Sequence, residues 1–441
     1  MKKFGRRHMA VVLVCCLMSG LVGCRAAEVT HSVISKNDAE VQQENEAGAV
    51  ADKEVQAEEK EAATITIPEV SVVQKEIPQT ESLFMVQDMK AGWNLGNTLD
   101  AYVEGRSYSE ENELEAETCW GNPATTKEMI LMVKEAGFNT VRIPVTWHPH
   151  VFFNRDTGEL TIHEAWLLRV KEVVDYAYEE GMYVILNIHH DTSKEYYYPD
   201  EEHYERSEAY IRGIWTQVAD YFREYDSRLI FESMNEPRLV GHKYEWWYNP
   251  ADEDCRESAE CINKLNQVFV DTVRKSGGNN ADRYLMVPGY DASIEGATND
   301  IFRLPEDAAQ DRLIVSVHAY TPYNFALQAQ SESGATDYFS VKGQAGTPDI
   351  DWLMNTIYEK YVSQGIPVVI GEYGARDKDG NLQSRVSYYA YYTAAARANG
   401  ITCCMWDNNA FAGNGENFGV LSRTAMKWRY RDIIDAVMKY A

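Results

Sequence analysis

Eight short apolar stretches, most followed by an amphipathic helical segment, predict a closed (β/α)8 TIM barrel. The stretches lie near Met89–Gly92, Thr140–Pro144, Tyr183–Asn187, Leu229–Asn235, Arg283–Val287, Leu313–Val317, Pro367–Gly371 and Thr402–Trp406. They are apolar and often β-branched, as strands covered on both faces must be. Helical segments are expected near Thr126–Ala136, Glu164–Glu180, Ser207–Tyr225, Cys261–Ser276, Asp351–Val362, Ser384–Asn399 and Lys427–Lys439. Gly137, Gly181, Gly277, Gly365 and Gly400 stand where helix C-caps belong. The fifth crossover, Asp291–Gln310, has no clear helical period and is expected to hold only a short helix.

Two different segments precede the barrel. Met1–Arg7 is basic and Met9–Val22 is apolar but too short to span a bilayer, the form of an export signal over residues 1–23. Its end, Leu21-Val22-Gly23-Cys24, resembles the lipobox of bacterial lipoproteins, which implies an acylated Cys24 and a chain tethered to an outer membrane face or secreted. Residues 24–84 are rich in Glu, Ala, Gln and Val, and nearly devoid of aromatic residues, so they read as a lipidated, disordered acidic linker. Residues 85–441 are the barrel.

A formal charge of −26 argues against a nucleic-acid partner, because phosphate binding needs basic patches. Twenty-eight Tyr and ten Trp on an acidic body suit a neutral carbohydrate, although most rings will pack inside. Of eight cysteines, Cys119, Cys255, Cys261, Cys403 and Cys404 remain after the signal and the lipid site. Cys255 and Cys261 are spaced for a local disulfide, Cys403 and Cys404 read as buried thiols, and no spacing resembles a zinc site. A monomer without metal or cofactor is expected.

The strand ends carry the chemistry. In order they are Trp93 and Asn94 with Asn97 beyond, Arg142 with Trp147, His189-His190-Asp191, Asn235-Glu236, Tyr290, His318 with Tyr320, Glu372, and Trp406 to Asn409. Barrel enzymes assemble their sites at that face. Glu236 and Glu372, on the fourth and seventh strands, form the candidate carboxyl pair for glycosidic cleavage: one protonates the leaving oxygen while the other attacks or activates water. Arg142 and Tyr320, if they reach Glu372, would keep it an anion and leave Glu236 as the acid. Glu232, in the same strand, reads as a structural acid with buried partners. His189 and His190 are expected to point to opposite sides, which disfavours a shared metal ion.

Gly92-Trp93-Asn94-Leu95-Gly96-Asn97-Thr98-Leu99-Asp100, Thr118-Cys119-Trp120-Gly121-Asn122-Pro123, Phe138-Asn139-Thr140-Val141-Arg142-Ile143-Pro144-Val145, Asn187-Ile188-His189-His190, Asn235-Glu236-Pro237 and Gly371-Glu372-Tyr373-Gly374 together resemble glycoside hydrolase family 5, the retaining endoglucanases. The resemblance covers about residue 85 to the end. It implies Glu236 as proton donor, Glu372 as nucleophile, and Arg142, His189, Asn235, His318, Tyr320 and Trp406 as the rest of the active-site set, to which the strand-end positions add His190, Asn97 and Trp93 as candidate supporting residues. It also implies a β-1,4-glucan substrate, with xyloglucan, mixed-linkage glucan or mannan as alternatives. Inserts at Glu104–Glu117, Tyr196–Glu205 and Glu245–Asp254 match no pattern and would shape substrate range. In the last, Trp246-Trp247-Tyr248 reads equally as an outer sugar site or as loop packing. Two other functions fit less well: a non-catalytic glycan-binding lipoprotein, against which both glutamates argue, and a metal-dependent hydrolase using the His-His-Asp run.

Overall fold

The structure is a computed structural model and describes residues 64–109, 111–413 and 415–441. The expected signal, Cys24 and the linker up to residue 63 lie outside the described residues.

The barrel strands are β1 (Ala91–Asn94), β2 (Thr140–Ile143), β3 (Tyr183–Asn187), β4 (Leu229–Glu232), β5 (Leu285–Pro288), β6 (Leu313–His318), β7 (Val368–Tyr373) and β8 (Thr402–Met405). Each pairs in parallel with its sequence neighbours, and β8 closes the ring on β1. The helices are α1 (Glu81–Asp88), α2 (Lys127–Glu135), α3 (Glu164–Tyr178), α4 (Tyr204–Tyr221), α5 (Glu253–Lys275), α6 (Thr347–Lys360), α7 (Leu382–Ala398) and α8 (Arg431–Tyr440). Between β5 and β6 the chain forms a single 3-10 turn, Tyr290–Ala292, and the five-residue helix Ile294–Thr298, the short crossover expected there.

Strand alternation sorts the side chains. Val141, Ile143, Val184, Leu186, Leu229, Phe231, Val315 and Ile370 belong to the core between strands and helices. Ile185, Ile230, Met286, Ile314, Val369 and Cys404 form a separate cluster inside the ring. Met85, Val86 and Met89, from α1 and its C-cap, belong to this inner cluster and stopper the barrel floor. The apolar floor makes the opposite end, where the strands finish in polar residues, the only part of the interior suited to chemistry.

Residues 64–84, expected to be disordered, are instead laid on the barrel. Ile65, Ile67, Val70, Val72 and Ile77 pack on the main core. Lys75 N–H donates to Ala398 O at 2.9 Å, and the Tyr440 hydroxyl donates to Pro68 O at 2.7 Å. Thr80 then caps α1, accepting from Leu83 N–H at 3.2 Å. The physical reason is period-two patterning: Thr64-Ile65-Thr66-Ile67 and Val70-Ser71-Val72 present one apolar face, which low aromatic content obscures.

The local disulfide that the spacing of Cys255 and Cys261 left open does not form. Cys255 and Cys261 are free thiols six residues apart on α5, a rise of about 9 Å, beyond the roughly 7 Å that a disulfide can bridge. Cys403 and Cys404 are buried thiols. No helix among the described residues is long and apolar enough to cross a membrane.

Candidate active site

At the polar end of the barrel, Arg142 is the hub. It projects inward from β2, wholly buried, and spends its donors on four acceptors. Nε donates to Glu232 Oε2 at 2.8 Å, Nη1 to Glu372 Oε1 at 2.8 Å and to Asn94 Oδ1 at 3.0 Å, and Nη2 to Asn235 Oδ1 at 2.7 Å. A buried guanidinium is tolerable only with such partners. Glu232 is the structural counter-charge, since it also accepts from Asn187 Nδ2 at 3.1 Å and Ser316 Oγ at 2.6 Å.

Glu372 lies within β7, where the register with β6 slips so that His318 faces Glu372 rather than Gly371. Such a bulge re-aims a side chain. Its second oxygen accepts from the Tyr320 hydroxyl at 2.9 Å. Burial, then the charge of Glu372, raises the Tyr320 pKa well above its usual value, so the hydroxyl stays a donor. Gly371 is required beside it, because a Cβ there would stand 2.9 Å from His318 Nε2.

Glu236 sits four residues past the end of β4 as assigned, yet the ladder continues through Ser233 N–H to Met286 O and Asn235 N–H to Ile188 O. Its Oε1 lies 2.8 Å from His318 Nδ1, and its Oε2 lies 3.8 Å from Arg238 Nη1. An oxygen of each glutamate and a ring nitrogen of His318 all fall within 4.8 Å of one another. Burial pushes the Glu236 pKa up, but the hydrogen bond and charge of His318, with Arg238 and His190, outweigh it and hold the carboxyl at about 2. For His318 burial pushes the other way, and Glu372 and Glu236 raise it above the ordinary histidine value. Glu236 and His318 are therefore a hydrogen-bonded pair that shares a proton, each favouring the charged form of the other.

The remaining expected residues divide. His189 is buried, with Nδ1 3.1 Å from Asn187 Nδ2, and burial lowers its pKa well below the usual value. The network assigns its proton to Nε2, the atom left to donate. His190 is half-buried, its ring 4.4 Å from that of His189 and 5.7 Å from Trp120. β3 ends at Asn187, so the alternation expected for the two histidines does not apply, and ligand atoms of both gather with Asp100 within 4.8 Å. Asp100 is already engaged, accepting from Asn97 N–H at 3.0 Å and Thr98 N–H at 2.7 Å. Asn97 turns this loop at φ 57°. Trp406 is 6 % exposed, its ring parallel to His189 at 5.9 Å and seated on Gly96, where a Cβ would stand 2.7 Å away.

Trp93 is not part of the mouth. It points outward from β1, wholly buried, and its Nε1 donates to Asp407 Oδ2 at 3.0 Å. Asn94 next to it is the inward residue, as strand alternation requires.

Three residues near Glu236 are new. Arg238 donates from Nη1 to Glu236 O at 2.9 Å and from Nε to Glu245 Oε1 at 3.3 Å. Asp291, buried at φ 56°, ties its N–H to Pro237 O at 2.8 Å. Burial and the charge of Glu236 push its carboxyl well above the usual range. The sequence signals were the position of Arg238 directly after Asn-Glu-Pro and that of Glu245 at the start of an unmatched insert; nothing gave Asp291 a role.

A barrel with two close carboxyl groups over an arginine-held, aromatic-walled mouth has the site of a glycoside hydrolase. The comparisons agree. A model of the cellulase family, glycosyl hydrolase family 5, matches residues 104–412. A family 5 lichenase from Caldicellulosiruptor sp. F32, solved as a mutant with cellotetraose, is 56 % identical, with 86 % of this chain and 100 % of that chain covered and a TM-score of 0.83. A GH5-4 broad specificity endoglucanase from Ruminococcus champanellensis with bound cellotriose is 42 % identical, covering 82 % and 100 %, with a TM-score of 0.74. Endoglucanase B of Neocallimastix patriciarum is 42 % identical over 83 % of this chain and 73 % of its own length. The chain belongs to glycosyl hydrolase family 5.

Proposed function

We infer that the protein is a retaining endo-β-1,4-glucanase in which Glu372 is the nucleophile and Glu236 the proton donor. The observation that carries the assignment is that an oxygen of each carboxylate lies within 4.8 Å of the other, in unlike surroundings. It fits the spacing of about 5 Å at which a carboxylate attacks directly, and is too short for the roughly 6.5–9.5 Å that an intervening water needs.

Arg142 and Tyr320 engage both oxygens of Glu372, so it approaches the anomeric carbon as an oriented anion. Glu236 passes a proton to the departing oxygen, drawing on the proton it shares with His318, 2.8 Å away. The resulting glycosyl ester on Glu372 is then hydrolysed by water that Glu236 deprotonates, which returns the pair to its starting state. Asn235, held by Arg142, and neutral His189 supply donors for sugar hydroxyls around the reacting ring.

The substrate is a soluble or amorphous β-glucan, and the lichenase and broad specificity relatives support adding mixed-linkage glucan to cellulose-type chains. The test is hydrolysis of carboxymethylcellulose, lichenan, xyloglucan and glucomannan, with product anomers read by proton NMR. Retention predicts β-anomer first; α-anomer first would overturn it.

The basic start, apolar run and Leu21-Val22-Gly23-Cys24 support export and lipid attachment. Labelling with a radioactive fatty acid should mark the parent chain and not Cys24→Ala.

A further inference from the structure

We propose that Glu113 is a positioning residue for the substrate groove: gripped by His150 and His163, it holds the insert Glu104–Glu117 against the barrel as a wall, and acid releases that grip. The inference rests on the glucanase reading, because the insert borders a groove only if the barrel mouth binds the glucan.

The insert is an excursion whose two ends meet at the mouth. Tyr102 precedes it and Trp120 follows it, their rings 6.2 and 5.7 Å from that of His190, and Trp120 Nε1 donates to Tyr102 O at 2.8 Å. Between them Glu113 opens a 3-10 helix, Glu113–Thr118, and is 1 % exposed. Its Oε1 lies 2.5 Å from His150 Nδ1 and its Oε2 lies 2.9 Å from His163 Nδ1. The two histidines flank the antiparallel hairpin Val151–Phe153 with Leu160–Ile162, and His163 N–H donates to His150 O at 2.9 Å. One buried carboxylate therefore joins the loop after β1 to the loop after β2.

The grip tolerates few protons. His150 is stacked on Trp166 at 3.7 Å and on Tyr108, from the insert, at 5.0 Å. Nε2 of each histidine is buried without a hydrogen-bond partner, and among the described residues no second acid pairs with either ring. The other charged and titratable groups nearby are cationic or already engaged. Arg106 lies over Tyr108 at 4.7 Å and pairs with Glu115, Cys119 borders Tyr108, and His148 Nδ1 is 3.5 Å from Asp191. Glu117, one turn beyond Glu113, accepts from Nε and Nη2 of Arg169, both at 2.8 Å. Each proton added to the histidines turns a bare Nε2 into an N–H with no acceptor, and the second also leaves uncompensated positive charge.

Burial accordingly lowers the His150 pKa, although Glu113 pulls it up. A histidine lowered in the fold contributes stability that is whole above its ordinary value and is lost as the pH falls below it. Glu113 acts in the same sense: burial pushes its carboxyl up, the bonds to His150 and His163 outweigh that and lower it, and its share is also lost in acid. The Glu117–Arg169 clasp contains no histidine, so release is confined to the half of the insert up to Glu113.

Hydrogen–deuterium exchange of the full enzyme at about pH 7 and about pH 5, each corrected for its intrinsic exchange rate, reads the grip. Protection of residues 104–113 should fall about tenfold in acid, return at neutral pH, and leave residues 115–126 unchanged. His163→Asn keeps an N–H for Glu113 and removes one titrating ring, so its insert should stay protected at both values. Glu113→Gln should be loose already at neutral pH and raise KM for carboxymethylcellulose about threefold with kcat unchanged, the mark of lost positioning. Equal protection of the parent at both pH values, or a His163→Asn insert as loose in acid as the parent's, would overturn the proposal. A parent inactive on carboxymethylcellulose would overturn the glucanase reading instead, and the exchange result still decides the clasp.

Discussion

Glu372 and Glu236 are the same residue type, with an oxygen of each within 4.8 Å of the other, yet their environments share little. Glu372 is 7 % exposed, stands on a strand, and meets a guanidinium and a phenol that cannot change charge at working pH. Glu236 is 19 % exposed, stands in a loop, and is hydrogen-bonded at 2.8 Å to a histidine that can, one that stands farther, 3.8 Å, from Glu372. The contrast teaches that the two roles are set by what each carboxylate touches: fixed donors orient one for attack, and a titratable donor gives the other a route for a proton.

The largest effect should come from breaking the two carboxylates separately. Glu372→Gln should lose about a thousandfold or more of kcat on every substrate. Glu236→Gln should lose about 100-fold or more on cellulose-type chains but far less on β-cellobiosyl fluoride, whose leaving group needs no proton. Steady-state kinetics on both substrates check the split.

Arg142→Lys comes next. A lysine cannot replace four directed hydrogen bonds, so kcat should fall about 100-fold, and the stranded Glu232 should lower stability by about 3 kcal/mol. Kinetics and urea denaturation read the two losses.

The pH profile sharpens the comparison further. His318 is raised above its ordinary value, so the Glu236–His318 pair keeps its proton until the pH climbs past that level, and the basic limb of kcat/KM should lie above the ordinary histidine range. In His318→Gln the proton can reside only on Glu236, whose buried carboxyl loses it at lower pH. The basic limb should move down; an unmoved limb would assign the proton elsewhere.

The smallest effect on catalysis should come from the N-terminal strap. Deleting residues 64–78 removes Ile65, Ile67, Val70, Val72 and Ile77, uncovers the core they pack on and should cost about 3 kcal/mol of stability. The kcat of the folded enzyme should not change, which calorimetry and assay together check.

Much of this was legible in the chain. Uninterrupted apolar runs ending in Asn235-Glu236 and Glu372 declared buried parallel strands with functional ends, and the eightfold alternation declared the barrel. The same burial on both faces erased the period-two signal that would have sent Asn94 inward and Trp93 outward. The strap at residues 64–80 did carry that signal, but a compositional reading masked it. That Arg238, Glu245 and Asp291 meet was illegible because a loop has no period, and their meeting depends on how two loops fold together over β4 and β5.

The division of labour between the carboxylates is tested most directly by trapping the covalent intermediate. Incubation with a 2-deoxy-2-fluoro cellobioside bearing a good leaving group, followed by peptic digestion and mass spectrometry, locates the sugar. The account predicts one glycosyl adduct per chain, on Glu372. An adduct on Glu236, or continued turnover with no adduct, would contradict it.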